Sequence, residues 1–519
     1  MKKPWIFLLA LFVLLIASAC SESTIPEGEE GTASGTAGSS EAGEQEVIYA
    51  STTDAVGLSP IMTNDSVSSS IIEQVYETLF ERNPETQEIE PVLAESYETP
   101  DDLTWVITLK EGIEFQDGTP FNAEAVKYTF DKLRDPATAA PRASLLAPVE
   151  EINVIDETTV EITTEYPYGP LLAALSHSNA AIVSPTADQE QDLMQNPVGT
   201  GPFKFVSWTQ GDQVVLEKNE DYWDEPTDLD KVTYKVVPET STAISMLQTG
   251  EVNFLDALPT EQIARVESLE NVEVTKQDGT PVYYLTFNHS KDRSQNPDFR
   301  KAVASAVDRD AFISKLNGLG VRSDSILGPK VFGYDESADE AGTAYDPEAA
   351  KQLVEENSFG DEPIKLLTAS RDNYILMAEI VQAQLMEAGF DVQIETMEWA
   401  TFLDSARAGD YDLTFLSWSN VTGDGSEMLY PNFHSENIGG SNFAQYNNAE
   451  VDEIIEASRN TVDQEERLAR LKEANQLMLE DNAAVVMYHG VVTSATDKSI
   501  KGLELEPTGQ WSLYNVTRE

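Results

Sequence analysis

The chain has 519 residues, 41 % of them apolar and 8 % aromatic, which is a globular composition and, at ~100–200 residues per domain, room for roughly two to four domains. Asp and Glu number 91 against 33 Lys and Arg, for a net charge of −58. That excess repels phosphate backbones and anionic lipid, so it argues against nucleic-acid binding, and we read it as adaptation to a salty medium. The single cysteine excludes an intramolecular disulfide framework and cysteine-based zinc sites.

Lys2 and Lys3 open the chain, and 6–16 is an unbroken apolar run ending at Ala17, Ser18, Ala19 and Cys20. Charged start, short apolar run and small residues at the cut are the layout of a secretory signal over 1–19. The run is too short to span a bilayer comfortably, which takes about 20 residues. Cleavage after Ala19 would leave Cys20 as the first residue, and the segment resembles a bacterial lipoprotein signal in which that cysteine is lipidated. Ala17 stands where such signals usually carry Leu. The stretch 20–46 is rich in Gly, Ser, Thr and Glu, cannot bury a core, and predicts a flexible tether.

From Val47 onward strand and helix patterns alternate. Asp65 and the serines after it offer caps for a helix over 71–80. LTWVITL (103–109) alternates as a strand, and Asn122 is placed to cap a helix over 123–133. Strands are predicted over 159–163 and 231–237, and a helix over 240–249 stopped by Gly250. The pattern is clearest from 364 to 424. A strand (364–369), a helix (374–388), a strand (390–395), a helix around Trp399, Phe402 and Ala406, and a strand (413–418) follow one another. This βαβαβ order demands a parallel sheet with right-handed crossovers, and ligands of such sheets sit beyond the carboxyl ends of the strands. The loops there are 370–373 and 419–425. Helices over 450–459 and 464–480 and a strand over 483–488 complete the body.

Catalytic motifs are missing. There is no Gly-x-Ser-x-Gly elbow and no phosphate-binding loop. Gly199, Gly201 and Pro202 lack the third glycine of a dinucleotide fingerprint. His177, His289, His434 and His489 are too widely spaced for a local metal motif. No cofactor, metal or catalytic residue is expected, and export, a tether and an α/β body describe a binder better than an enzyme.

The segments VLAESY (92–97) and TWVITLKEGIEFQDGTPFNAEAV (104–126) carry a resemblance. So do, in order, NPVGTGPF (196–203), NEDYW (219–223), YLTFN (284–288), FRKAV (299–303), AVDR (306–309), GDYDL (409–413) and YNNAEVD (446–452). Together they resemble the extracellular solute-binding proteins of family 5, the peptide, glutathione and nickel receptors of ABC importers. The resemblance covers about 47–519. It implies a two-lobed α/β fold of the periplasmic-binding-protein type (type II, large cluster C form). Lobe I would comprise 47–80, 205–285 and 492–519, with an extra subdomain (81–204) inserted in it, and lobe II would be 286–491. It further implies a monomeric lipoprotein anchored at the outer face of the cell membrane that delivers solute to a permease and ATPase complex. WSNVTGDG (418–425), LYPNFH (429–434), TEYPYGPLLA (164–173) and TGQ (508–510) look most like the glutathione-binding subgroup. Glutathione or a di- or oligopeptide is the implied ligand; a nickel complex, another solute, or a sensory role remain as alternatives.

The resemblance also implies site residues. Arg371, after the first strand of the parallel unit, would hold a peptide carboxylate; the plain alternative is a surface ion pair. Asp424, after the third strand, would bind the amine; the alternative is an Asp-Gly turn. Trp418 would wall the pocket or belong to the core. Tyr284 and Asn288, on the presumed crossing strand, would touch the ligand or pack in the core or hinge.

Overall fold

A computed structural model describes residues 45–519. The signal, Cys20 and all but the end of the expected tether lie outside the described residues. That end, Glu46, already belongs to the first strand, Glu46–Ser51. Its side chain meets Lys231 at 2.9 Å.

One mixed sheet organises the body. Its strands run in the order Val392–Met397, Ile364–Ala369, Leu413–Trp418, Val272–Phe287, Ala484–Asp497, Phe254–Asp256, Glu46–Ser51, Lys231–Val236, Gln213–Lys218 and Phe203–Thr209. The βαβαβ unit lies at one end of it. Ile364–Ala369 is central there and parallel to both Val392–Met397 and Leu413–Trp418, with helices Asp372–Glu387 and Trp399–Arg407 as the crossovers. Apolar residues on the inward face (Tyr374, Met377, Val381 and Leu385) bury the first crossover.

Two long antiparallel strands, Val272–Phe287 and Ala484–Asp497, link the halves of the sheet. The first has 16 residues, about 50 Å at ~3.4 Å per residue, enough to serve two cores in turn. Their register breaks between Asp278 and Val282. Pro281 has no N–H for the ladder, and Thr280 turns its N–H away to the Pro507 carbonyl at 2.9 Å. A Cβ on Gly279 would sit 3.0 Å from the Gly490 carbonyl oxygen opposite, so only glycine lets the strands approach so closely there. On one side of this break the core draws on 282–488, including Tyr284, Phe287, Leu366 and Phe415. On the other side a second core runs from Val47 to Phe254 and takes in Trp511 and Leu513 near the C-terminus. The four-stranded antiparallel sheet Ala94–Asp101, Thr104–Leu109, Thr159–Thr164, Val149–Asp156 packs its apolar side (Trp105, Ile107, Ile162) into that second core.

Most predicted elements stand within a residue or two. Asn122 caps Ala123–Arg134 by accepting the Ala125 N–H, and Gly250 ends Thr240–Thr249 in the left-handed conformation (φ 77°). Two differ. The helix expected over 71–80 is Ser66–Val75, because Asp65 accepts the Ser68 N–H at 2.9 Å and starts the helix among the serines. The chain then leaves the helix at Tyr76, which is extended. The strand expected over 483–488 continues to Asp497, since its second half pairs with Phe254–Asp256 and with the first half of Val272–Phe287.

Candidate functional site

A cavity of about 640 Å³ opens where the crossing strands break register. Thr280 forms part of its floor. Helix Ser66–Val75 and the residues after it line one wall, the loop after Leu413–Trp418 (Ser419 and 421–423) faces them, and the C-terminal segment around Glu506 and Trp511 adds a third side. The site therefore lies beyond the carboxyl end of a parallel strand, where such sheets take ligands.

Glu77 is held in place by three donors: Thr200 Oγ1 at 2.7 Å, Tyr222 Oη at 2.7 Å and Trp223 Nε1 at 2.8 Å. Burial raises its carboxyl, and these donors offset part of the rise. Glu73, on the last turns of the helix, faces Glu506. Burial, then the Glu506 charge, push the Glu73 carboxyl well up. Burial pushes Glu506 up to about 7, against the hydrogen bond from Thr508. Three cations line the same space, each with a polar or aromatic partner that also lines it. Arg82 donates to the Thr422 carbonyl (2.9 Å) and the Gln87 carbonyl (2.6 Å), Arg142 to Asn64 (2.6 Å), and the Lys110 ammonium stands 4.6 Å from the centre of the Trp223 ring. The Arg82–Thr422 bond joins two residues of the cavity lining. Gly423 (φ +67°) makes room for it, since a Cβ there would lie 2.6 Å from Arg82 Nε. A second bridge joins the Gly169 N–H to the Arg459 carbonyl at 2.7 Å.

None of the five residues expected at the ligand lines this cavity. Asp424 is 2 % exposed, and both its oxygens take the Arg467 guanidinium at 2.9 Å. Its Oδ1 also accepts the Ser426 N–H, capping helix Gly425–Phe433. Burial would raise this carboxyl, but Arg467 and Arg82 outweigh it and hold it below its ordinary value. The expected amine partner is thus committed to an internal cation. Tyr284 is 1 % exposed and packs against Phe433 in the core. Asn288 is fully buried; its amide donates to the Gly409 and Tyr411 carbonyls, and its oxygen accepts from Ser290. Both serve packing, which corrects the ligand expectation for them. Trp418 is half-buried against the core, and its Nε1 has no hydrogen-bond partner. Arg371 is exposed at the head of helix Asp372–Glu387 and lies flat on Trp399, 3.5 Å from the ring centre. Among the described residues no carboxylate is within ion-pair distance of it.

Residues 88–440 match the family of bacterial extracellular solute-binding proteins, family 5 (middle region). The chain belongs to that family. It is 29 % identical to the glutathione-binding protein GsiB of Escherichia coli K12 over 491 residues, covering 91 % of this chain and 94 % of the relative. Among solved structures, HbpA2 from Haemophilus parasuis superposes with a TM-score of 0.85 at 24 % identity, covering 91 % of this chain and all of that one. DppA from Helicobacter pylori, in complex with the peptide STSA, gives 0.72 at 27 % identity over 91 % and 98 %. The fold is the two-lobed α/β architecture of these receptors, and as a solute-binding protein the chain is not an enzyme. Among the described residues no helix is long and apolar enough to cross a membrane.

Sequence reasoning placed the loop 419–425, of which Ser419 and 421–423 line this cavity, but missed Glu73, Arg82 and Glu506. TGQ (508–510), singled out by resemblance, lies beside Glu506 and supplies Thr508, the one local signal for it. Glu73 and Arg82 carry none, because only the fold brings them together.

Proposed function

We propose that this protein is the receptor of an ABC importer, which captures a small peptide in the cleft at the crossing strands and hands it to a membrane permease. The observation that carries the reading is the cavity itself. At about 640 Å³ it falls in the ~300–1,000 Å³ range of small-molecule sites, it has polar groups on every side, and it belongs to a chain of the solute-binding family. GsiB binds glutathione by its name, and the DppA complex holds a peptide, which supports a peptide or glutathione over a nickel complex.

Arg371, which does not line the cavity in this structure, remains the proposed carboxylate anchor. In a chain with 91 acidic residues an exposed arginine without an acidic partner is available to a ligand, and stacking on Trp399 holds its donors in a plane suited to a bidentate carboxylate. Trp418 remains the proposed wall below the 419–425 loop. A lipid on Cys20 and a monomeric body complete the proposal. Calorimetry with glutathione and a panel of di- and tripeptides tests it. Arg371→Ala should weaken the best ligand by at least ~10-fold, which is ~1.4 kcal/mol. Equal affinity in the variant would remove Arg371 from the site, and no heat with any peptide would remove the peptide reading. Fatty-acid labelling should be lost in Cys20→Ser; labelling equal to the parent would refute the anchor.

A further inference from the structure

Resting on the solute-receptor reading, we infer that the two halves of the protein carry their own latch, formed where 168–169 seat on the turn between helices Ala449–Arg459 and Gln464–Glu480. The latch keeps the two sides of the cavity together whether or not solute is bound. Its partners belong to different cores. Tyr168 packs against the core that runs from Val47 to Phe254, and Leu171 and Leu172, just after Gly169, lie inside that core. Val451, Ile455 and Leu471, on the two helices, belong to the other core. Val462, in the turn between those helices, packs against the first core instead of its own. The strands that join the halves lose register at 278–282 and again at 283–284, and a ladder disrupted in this way bends more readily than a continuous one. A contact away from the strands is therefore placed to decide how far the halves stand apart.

The seat is made by close approach. The Gly169 N–H donates to the Arg459 carbonyl at 2.7 Å. A Cβ on Gly169 would stand 2.0 Å from the Thr461 carbonyl oxygen and 2.4 Å from Arg467 Cδ, so only glycine fits. Neither obstacle gives way cheaply. The first is backbone, and Arg467 is buried, tied to the Ser458 carbonyl at 3.0 Å and to Gln464 Oε1 at 2.9 Å. The Arg459 guanidinium stands 3.5 Å from the centre of the Tyr430 ring and 6.0 Å from that of Tyr168, a cation shared by aromatic faces on both sides of the joint. Tyr168 and Gly169 fall in TEYPYGPLLA (164–173), a segment that takes no part in the cavity lining. Arg459, Thr461, Val462 and Arg467 do not line it either. The latch thus consists of protein atoms alone, and a solute in the cavity neither makes nor breaks its contacts. A solute that needs both sides of the cavity binds the latched form, so its apparent affinity scales with the fraction of chains latched. Gly169 and Val462 are positioning residues in this sense: they set affinity without touching the ligand.

The test is small-angle X-ray scattering, with stopped-flow dissociation beside it, on the full chain as parent, Gly169→Ala and Val462→Asp, each dialysed free of solute. Val462→Asp touches no residue of its own half's core and keeps the test decisive should Gly169→Ala not fold. Without solute, the parent is expected to scatter as the latched structure does, and the variants to show a larger radius of gyration while still unfolding cooperatively. Glutathione and Ala-Ala-Ala are the solute probes. The tighter of the two should bind each variant ~10-fold or more weaker, with most of the loss in faster dissociation, and at saturation it should return the variants to the parent's radius. A solute-free radius equal in parent and folded variants overturns the latch, whatever the affinities. Should neither probe bind while the radii differ as expected, the latch stands and the peptide reading falls.

Discussion

Replacing Asp424 by Asn separates a role in stability from a role in ligand binding. Asparagine keeps the shape and can still accept the Ser426 N–H, so the helix cap survives. What disappears is the charge facing Arg467, which is 1 % exposed and aims one nitrogen at both Asp424 oxygens at 2.9 Å. Arg467 keeps bonds to the Ser458 carbonyl and Gln464, which carry no charge. Removing one partner of such a buried pair costs about 3–5 kcal/mol. At ~2.1 cal/mol/K per residue, a body of this length unfolds with an entropy on the order of 1 kcal/mol/K, so Tm should fall by roughly 3–5 °C. Differential scanning calorimetry reads the shift, and titration calorimetry below the transition reads affinity for the best peptide. The expected result is a lowered Tm with affinity changed less than ~3-fold. An unchanged Tm with binding weakened by ~10-fold or more would refute the reasoning and return Asp424 to the ligand.

The net charge of −58 makes the surface repel itself, and the Debye length shrinks to about 3 Å at 1 M salt; Tm should therefore rise from low salt to ~1 M NaCl, and a flat profile would mean the charge is neutralised locally. Burial holds a proton on Glu506 up to about pH 7, whereas the unfolded chain releases it near ~4.3. The folded state binds the extra proton, so this group's contribution to stability is full below the unfolded value and is lost as pH rises through about 7. Ligand-free Glu506→Gln, which cannot ionise, should gain Tm over the parent as pH goes from 5 to 8, and a gap that stays constant across that range would contradict the raised carboxyl.

The parallel unit was legible because its signal is local: apolar period, glycine stops and alternation all fall within 364–424, and each crossover helix carries its own buried face. The helix before Tyr76 was misplaced because several residues could cap it, and the choice of Asp65 depends on where the chain must leave to bring Glu77 to Thr200, Tyr222 and Trp223. Asp424 was correctly placed after the third strand, but its partner Arg467 lies on a helix 43 residues on, Gln464–Glu480, and no spacing rule connects the two. For Asn288, on the presumed crossing strand, the sequence left ligand contact and core or hinge packing open; the turn it stabilises, through the Gly409 and Tyr411 carbonyls, exists only once the sheet has formed. Glu73 and Glu506 were invisible among 91 acidic residues, since only the fold brings these two to the same cavity.

Solute capture at the crossing strands is tested most directly by native mass spectrometry of the protein as purified, before and after incubation with an equimolar peptide mixture. One peptide bound per chain, released on denaturation, is the predicted result. A spectrum showing only the bare chain at every peptide concentration, from protein that still unfolds cooperatively, would contradict it.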